Sequence, residues 1–563
     1  MDFDVIVVGS GISGGWAAKE FTEKGMKTLV IERGRHVEHI NDYEGENKDP
    51  WEMPFRDDVD RKLADERYPI QKKCYAFKDS TKHFFTDDTE HPYSQEDGTS
   101  FAWIRGHHLG GRSLLWHRQS YRWSEMDFAS NKRDGHGVDW PIRYNDLKKW
   151  YDHVEIFAGI SGTMEGLPQL PDGKFLPPIG FNCAEEEFSK RIAENYDDRV
   201  MIPGRCAHLT EPQEIHTDLG RGTCQSRNQC QRGCTFGAYF SSQAATLPAA
   251  ENTGNLTIVT DSIVHSVIYD DKTKRATGVR IINAKTKETK IYEARVIFLC
   301  ASTLGTTQIL LNSTSEHFPT GFANSSDAVG RYLMDHLCFA GARGEMNEFY
   351  DRYYIGRKPN SIYIPRFTNL NEDIEDFVRG YAFQGGGKRK NWQDQMDGKG
   401  FGTDFKESFK TPGPWVIELE GYGEMLPRAD NRATLHKSKI DQWGMAQLHV
   451  ECTFGENDKK IRKVMMETAA EMMSGLGLQN VETFNTEDSA GLGIHEMGTA
   501  RMGHDPKTSV LNAYNQCHDV DNVFITDGSA MASSACQNPS LTYMALTARA
   551  VDYAVSQMKS HAL

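Results

Sequence analysis

No run of about 20 apolar residues occurs in the chain, so no segment of its 563 residues is built to cross a bilayer as a helix. Positive charge is also in deficit: 79 Asp and Glu stand against 64 Lys and Arg, a formal net charge of -15. Phosphate backbones are held by clustered Lys and Arg, so nucleic acid is excluded as a partner. The one conspicuous basic run, Lys388-Arg389-Lys390, follows three glycines and reads as a solvated loop. Low-complexity tracts are absent, and with 38% hydrophobic and 25% charged residues the whole chain is expected to fold. Cysteine is too sparse, at eleven, for a disulfide scaffold. Eight of the eleven (Cys74, Cys183, Cys206, Cys300, Cys338, Cys452, Cys517, Cys536) stand alone and read as small buried hydrophobes. A secretory leader is not expected either, because Met1-Asp2-Phe3-Asp4 runs directly into apolar residues 5–8 without a basic n-region; export then needs a carrier.

What is present begins with length, which exceeds a single core and predicts two domains, one of them free to be split in sequence. Asp4-Val5-Ile6-Val7-Val8 predicts a buried strand, Gly9-Ser10-Gly11-Ile12-Ser13-Gly14 a tight turn, and residues 12–24 a helix closed by Gly25. In such a unit Gly9 makes the turn, Gly11 lets a pyrophosphate approach the backbone, and Gly14 lets helix and strand pack closely. The anion sits on the helix N-terminus. A second strand, Thr28-Leu29-Val30-Ile31, delivers Glu32 about 20 residues past the glycines, where a carboxylate accepts hydrogen bonds from ribose hydroxyls. The unit therefore predicts a dinucleotide site, with FAD and NAD both open from this segment alone.

A second glycine segment, Arg105-Gly106-His107-His108-Leu109-Gly110-Gly111-Arg112-Ser113, resembles the loop that runs along FAD in the glucose-methanol-choline oxidoreductase family. Residues 296–303 and 329–336 resemble further family patterns, and His336 is expected to be structural. The resemblance implies FAD, with Gly110 and Gly111 against it. It also implies a fold of α/β class, a Rossmann-like FAD-binding domain joined to an α+β substrate domain on an antiparallel sheet. Where some relatives attach flavin covalently through a histidine, this chain has Arg105 or Leu115, so the FAD is expected to be non-covalent, with His107, His108 and His117 nearby.

His495-Glu496-Met497-Gly498, the strand at 523–526, Asp527-Gly528 and Gln537-Asn538-Pro539-Ser540 together resemble the family's active-site end. That resemblance makes His495 the base, Asn538 its partner, and Asp527 and Gly528 cofactor contacts. Oxidising an alcohol requires removal of its hydroxyl proton as hydrogen leaves the carbon, and histidine is the side chain suited to that near neutral pH. An amide can hydrogen-bond the substrate oxygen as charge develops on it.

Cys224, Cys230 and Cys234 lie within eleven residues and supply three thiolates without an obvious fourth ligand, which fits structural zinc poorly. A redox-inert loop, or zinc completed by Cys206 or a histidine, stays open. The flanking Arg221, Arg227 and Arg232 suit a negatively charged metal cluster. The spacing resembles that of bacterial FAD-dependent glucose and fructose dehydrogenases, which implies a 3Fe-4S cluster passing electrons singly to an outside carrier. Over nearly its full length the chain most resembles bacterial glucoside 3-dehydrogenases, which implies oxidation of a pyranoside C3 hydroxyl. It also implies a cytochrome c subunit, a small subunit bearing the export signal, and a periplasmic location by co-export.

Between about 340 and 485 the glycine signatures stop and alternating segments at 361–367, 415–420 and 445–452 predict an antiparallel sheet, with an amphipathic helix at 459–473. Glu418 and Glu420 share one side of the second segment, suited equally to sugar hydroxyls or to an exposed sheet face. The expected division is 1–150, 215–340 and 486–563 for the FAD-binding domain, and 151–214 and 341–485 for the substrate domain. Three other readings stay open: an oxidase of the same fold, a lyase with structural FAD, and a non-catalytic electron-transfer or assembly subunit.

Overall fold

The structure, a computed structural model, describes residues 2–354, 362–371, 376–391, 400–486 and 489–563. Among them two seven-stranded sheets organise the chain. Phe3–Val8 lies at the centre of the first, parallel to Thr28–Ile31 on one side and Thr289–Leu299 on the other. Leu256–Val259 and Val523–Ile525 extend the parallel set outward. Val5 to Val8 are all buried, the continuous apolar pattern of a strand covered on both faces. One covering layer is helical: Val5 and Val7 pack with Ala17, Ala18 and Phe21 of helix Ile12–Glu23 and with Val551 and Ala554 of helix Ser540–Lys559. On the other face Ile6, Val8 and Ile31 pack with Val264, Val267 and Val279 of an antiparallel meander that shares the strand Thr289–Leu299.

The second sheet is antiparallel throughout, in the order Gln479–Asn485, Ala340–Met346, Trp415–Glu424, Tyr381–Arg389, Ile362–Ile364, Ile202–Pro203, with His336–Leu337 added beside Trp415–Glu424. The first predicted segment is thus the strand Ile362–Ile364, Ser361 lying outside the described residues. Helix Glu456–Gly475 buries Ile461, Met465, Ala469 and Met472 against one face. Glycines 421 and 423 accommodate it, since a Cβ at either would meet Met465 or Ile461. The opposite face, carrying Glu418, Glu420 and Tyr422, is left for the site. Helix Tyr144–Ala158 runs unbroken through position 150 and packs on Ser540–Lys559.

The basic run is not a solvated loop. Arg389 ends a strand, is buried, and donates to the carbonyls of Phe349, Tyr350, Arg352, Pro412 and Gly413, while Lys390 pairs with Glu345 at 2.5 Å. A buried guanidinium is satisfied here by neutral oxygens, which a charge pattern cannot reveal.

A buried ionic network ties the sheets together. Glu424 accepts from Arg366 at 3.0 Å and from Arg379 at 3.3 Å. Arg379 also donates to Asn131 at 2.8 Å and pairs with Asp134, both on helix Glu125–Asp134. Removing one partner of such a network strands a buried charge at a cost of about 3–5 kcal/mol. Arg379→Met is accordingly expected to lower the thermal midpoint by about 2–4 °C; an unchanged midpoint in a calorimetric scan would contradict the assignment.

Candidate active site

At the carboxyl ends of the parallel strands, facing the antiparallel sheet, lies a cavity of about 420 Å³. This is where an open α/β sheet binds ligands. Gly9, Gly11, Glu32, Gly111, Asp527, Gly528, His495 and Asn538 all line it, drawn together from both ends of the sequence. Gly14 and Gly110 lie behind the wall. A Cβ on Gly14 would overlap the Gly9 carbonyl, and Gly110 adopts φ +83°, so both positions are closed to other residues.

At one end the two glycine loops meet through a residue the sequence reading left unassigned. Ser10 Oγ donates to Glu32 at 2.5 Å and accepts from the Gly110 amide at 2.8 Å. Glu32 takes further bonds from the Ser10 and Gly34 amides at 3.2 and 2.9 Å; burial pushes its pKa up against these bonds.

At the other end a chain of hydrogen bonds fixes the protonation of His495. His336 Nε2 lies 2.9 Å from the Ala535 carbonyl, which can only accept, so this nitrogen carries the proton. Burial holds the His336 pKa down at about 4, so the ring is neutral and its Nδ1 is an acceptor. His495 Nδ1, 2.9 Å away, must then donate to it. Burial, with His336 and Arg112 nearby, also holds His495 well below the ordinary imidazole range, leaving its Nε2 without a proton. Asn538 faces that nitrogen at 3.4 Å with its Nδ2, because Gln384 donates to Asn538 Oδ1 at 2.6 Å and so orients the amide.

The backbone of His495 is pinned as well. Asp335 accepts from the amides of Gly493 and His495 at 2.9 and 3.0 Å, and burial with Glu496 nearby raises its pKa to about 7. Glu496 is held bidentately by Arg112 at 2.7 and 3.1 Å. Asp335 and His336, adjacent in sequence, therefore hold the main chain and the ring of one residue. Their function was visible only as a family pattern, and His336 proves to be more than structural filler.

A second cavity of about 390 Å³ adjoins the first, sharing His117, Gln119, Glu420 and Tyr422 with it and continuing past Gln384, Lys388, Glu418 and Tyr354. Glu420 stands at the junction; its carboxylate accepts from the Phe339 amide at 3.0 Å and burial raises its pKa to about 7. It sits opposite Gln384 in the strand register.

Cys224, Cys230 and Cys234 share one partly exposed loop with all three thiols free. Burial raises the thiols of Cys224 and Cys234. Of the three arginines expected to flank a cluster, Arg227 instead pairs with Glu46 and Arg232 with Asp57 at 2.9 Å. Arg221 is buried beside Cys234 and donates to the carbonyls of Phe157, Ala158 and Gly237. Among the described residues, the only His, Cys, Asp and Glu group with ligand atoms within 4.8 Å of one another is Glu96, His449 and Glu451, two of which are already paired with Arg432 and Ser94. The three cysteine thiols therefore do not all lie within 4.8 Å of one another.

A family model described as GMC oxidoreductase matches residues 3–338 at its N-terminal part, and its C-terminal counterpart matches residues 427–547. The chain belongs to the GMC oxidoreductase family. It is 25% identical to the fructose dehydrogenase large subunit of Gluconobacter japonicus, over 99% of this chain and 98% of that protein. It is 24% identical to the gluconate 2-dehydrogenase flavoprotein of Pantoea cypripedii, over 97% and 92%. Pyridoxine 4-oxidase from Mesorbium loti has the same fold, with a TM-score of 0.60 at 16% identity, over 98% of this chain and 99% of that one.

GMC proteins bind FAD, and the cavity fits it in three respects. A Cβ at Gly11 would meet nothing closer than the Gly110 carbonyl at 4.0 Å, so the turn is open to a diphosphate. The cavity reaches without interruption from Glu32 to His495. Its walls include buried polar atoms with no partner among the described residues, Arg33 Nε, His107 Nδ1 and Tyr543 Oη, that a cofactor can engage. Ser10→Ala removes the link between the two loops and leaves the Gly110 amide unpaired, a loss of about 1–3 kcal/mol. Reconstitution of the apoprotein followed by flavin fluorescence is expected to show FAD affinity weakened about 10-fold; wild-type affinity would remove Ser10 from the site.

Proposed function

We propose that the chain is an FAD-dependent dehydrogenase that oxidises a secondary hydroxyl of a pyranose or glycoside, at C3, to the ketone. The observation that carries this reading is the hydrogen-bond chain that leaves His495 Nε2 unprotonated on the cavity wall beside the Asn538 amide. Bound flavin supplies the acceptor for the hydrogen that departs from carbon with its electron pair. His495 Nε2 takes the hydroxyl proton, and His336 Nδ1 holds the ring in the tautomer that can do so. Asn538 Nδ2 donates to the substrate oxygen as negative charge grows there. Gly9, Gly11, Gly14, Glu32, Gly110, Gly111, Asp527 and Gly528 hold the cofactor in this reading. The adjoining cavity, with its carboxylates, amides and tyrosines, suits a polyol, and relatives that carry sugar-acid and sugar dehydrogenase names favour a carbohydrate.

His495→Ala is expected to slow substrate-driven flavin bleaching in stopped flow by about 10²- to 10⁴-fold while FAD stays bound. Bleaching at the wild-type rate would end the assignment. A base whose pKa is depressed stays deprotonated as pH falls through the ordinary imidazole range. The bleaching rate should therefore not decline between pH 7 and pH 6; an acid limb centred near 6.5 is the contrary result.

Electrons leave, in the same proposal, through a 3Fe-4S cluster on Cys224, Cys230 and Cys234 to a cytochrome c subunit, with a small partner carrying the chain to the periplasm. No helix among the described residues is long and apolar enough to cross a membrane. Protein purified without added metal should contain about three irons per flavin and give a three-iron EPR signal that vanishes on adding a glucoside. Flavin without iron would return the cysteines to a structural role and favour an oxidase.

A further inference from the structure

Arg118 is fully buried, and none of its three guanidinium nitrogens has a hydrogen-bond partner among the described residues. Its guanidinium lies 4.9 Å from the ring of Tyr239 and on the wall of the flavin cavity, beside Tyr75, Trp116 and His117. The backbone around it is fully engaged: the Arg118 carbonyl accepts from the Ala207 amide at 3.0 Å, and Ala207 in turn accepts from Phe240 at 3.0 Å. A cation–π contact offsets only part of the cost of burying a charge without a counter-ion. The site is therefore built for an anion.

Two anionic occupants border it, the flavin on one side and whatever the cysteine loop carries on the other. The second is favoured by the surroundings of Tyr239. That residue bridges to His208, whose Nε2 lies 3.6 Å from Cys230 Sγ, and its hydroxyl is within electrostatic reach of Arg118, Cys230 and Cys234 together. Tyr75, also on the cavity wall, feels Arg118 and Cys230 at once. Arg227 and Arg232 are neutralised by Glu46 and Asp57, so Arg118 and Arg221 are the buried cations left on this side of the loop without a carboxylate partner, and Arg221 is occupied by three carbonyls.

We propose that Arg118 is a positioning residue that supplies the positive charge between the flavin cavity and the anionic iron–sulfur group on Cys224, Cys230 and Cys234, and that it raises the potential of that group. The proposal rests on the cluster reading above. Oxidising one hydroxyl to a ketone releases two electrons and two protons. The protons go to solvent, and the electrons cross the Arg118 wall singly to two equivalents of a one-electron haem acceptor. An electron held on that group would add a negative charge, which a nearby fixed cation would stabilise.

The test is a redox titration of the holoenzyme followed by EPR, with iron and flavin counted, in wild type, Arg118→Gln and Arg118→Lys. The glutamine variant is expected to keep its flavin and either to lose iron or to show a cluster potential lowered by at least the ~59 mV of a tenfold one-electron change; the lysine variant restores most of it. An unchanged potential with full iron overturns the proposal. So does loss of flavin with iron retained, which would give the guanidinium to the flavin. Wild-type protein without iron overturns the cluster reading itself and is seen before any substitution is made. If the glutamine variant fails to accumulate, Arg118→Ala is titrated in its place: a potential lowered by at least the same ~59 mV supports the proposal, and an unchanged potential with full iron overturns it.

Discussion

The direction of one hydrogen bond, His495 Nδ1 to His336 Nδ1, governs what the rest of the site can do. Two facing imidazole nitrogens are compatible only if one donates and the other accepts, and the Ala535 carbonyl settles the choice from the far side of His336. The consequence reaches the cavity two residues away as an unprotonated Nε2. The members of the chain come from three separate places in the fold besides the His495 segment: Ala535 and Asn538 from the turn before the last helix, His336 from a short strand of the antiparallel sheet, and Gln384 from the strand Tyr381–Arg389. The tautomer is thus a property of the way the two sheets meet. The Glu424 network acts at the same junction, since Glu424 is the backbone partner of His336 in the sheet register.

Burial acts on this arrangement in a consistent direction. It disfavours charge on His336 and His495, so both stay neutral, and it disfavours charge on Asp335 and Glu420, raising each to about 7. A proton arriving on His495 would meet the Asp335 carboxyl, whose pKa burial raises and which is anchored to the His495 amide. The site therefore has a base that is bare at rest and a nearby acid able to respond to its charging.

The parts legible in the sequence were those whose chemistry is local. A buried strand, a glycine turn and a helix follow from adjacent residues, and they occur as Phe3–Val8, Gly9 to Gly11 and Ile12–Glu23. The antiparallel second sheet likewise follows from local alternation, whereas the α/β fold as a whole was what the family resemblance implied. Ser10 was overlooked because its role is to join two loops 100 residues apart, which no spacing rule encodes. Gln384 was beyond reach for the same reason, and Glu420 was legible only as a carboxylate suited equally to sugar hydroxyls or an exposed sheet face, because its opposition to Gln384 is a matter of strand register. Arg389 was misread because a run of three basic residues looks solvated unless one knows that five carbonyls converge on the middle one. Arg227 and Arg232 looked like counter-charges for the cysteines until Glu46 and Asp57 were found to hold them.

The other histidines near the cofactor loop show why geometry decides among similar side chains. His107 faces Arg33, Arg105 and His91, a cationic surround that, with burial, keeps it far from accepting a proton. His108 spends its Nδ1 on the Leu109 carbonyl. Both sit with the glycine loop at the dinucleotide end, and Leu115, one of the two positions where some relatives carry the attaching histidine, offers carbon only. Of the histidines lining the cavity, His495 is the one whose free nitrogen is defined by its neighbours and shares an amide donor with the substrate side. In the proposed reading the base and the electron exit are separate groups of one cavity, His495 with Asn538 for the proton and Arg118, backed by the Tyr239 ring at 4.9 Å, for the electrons.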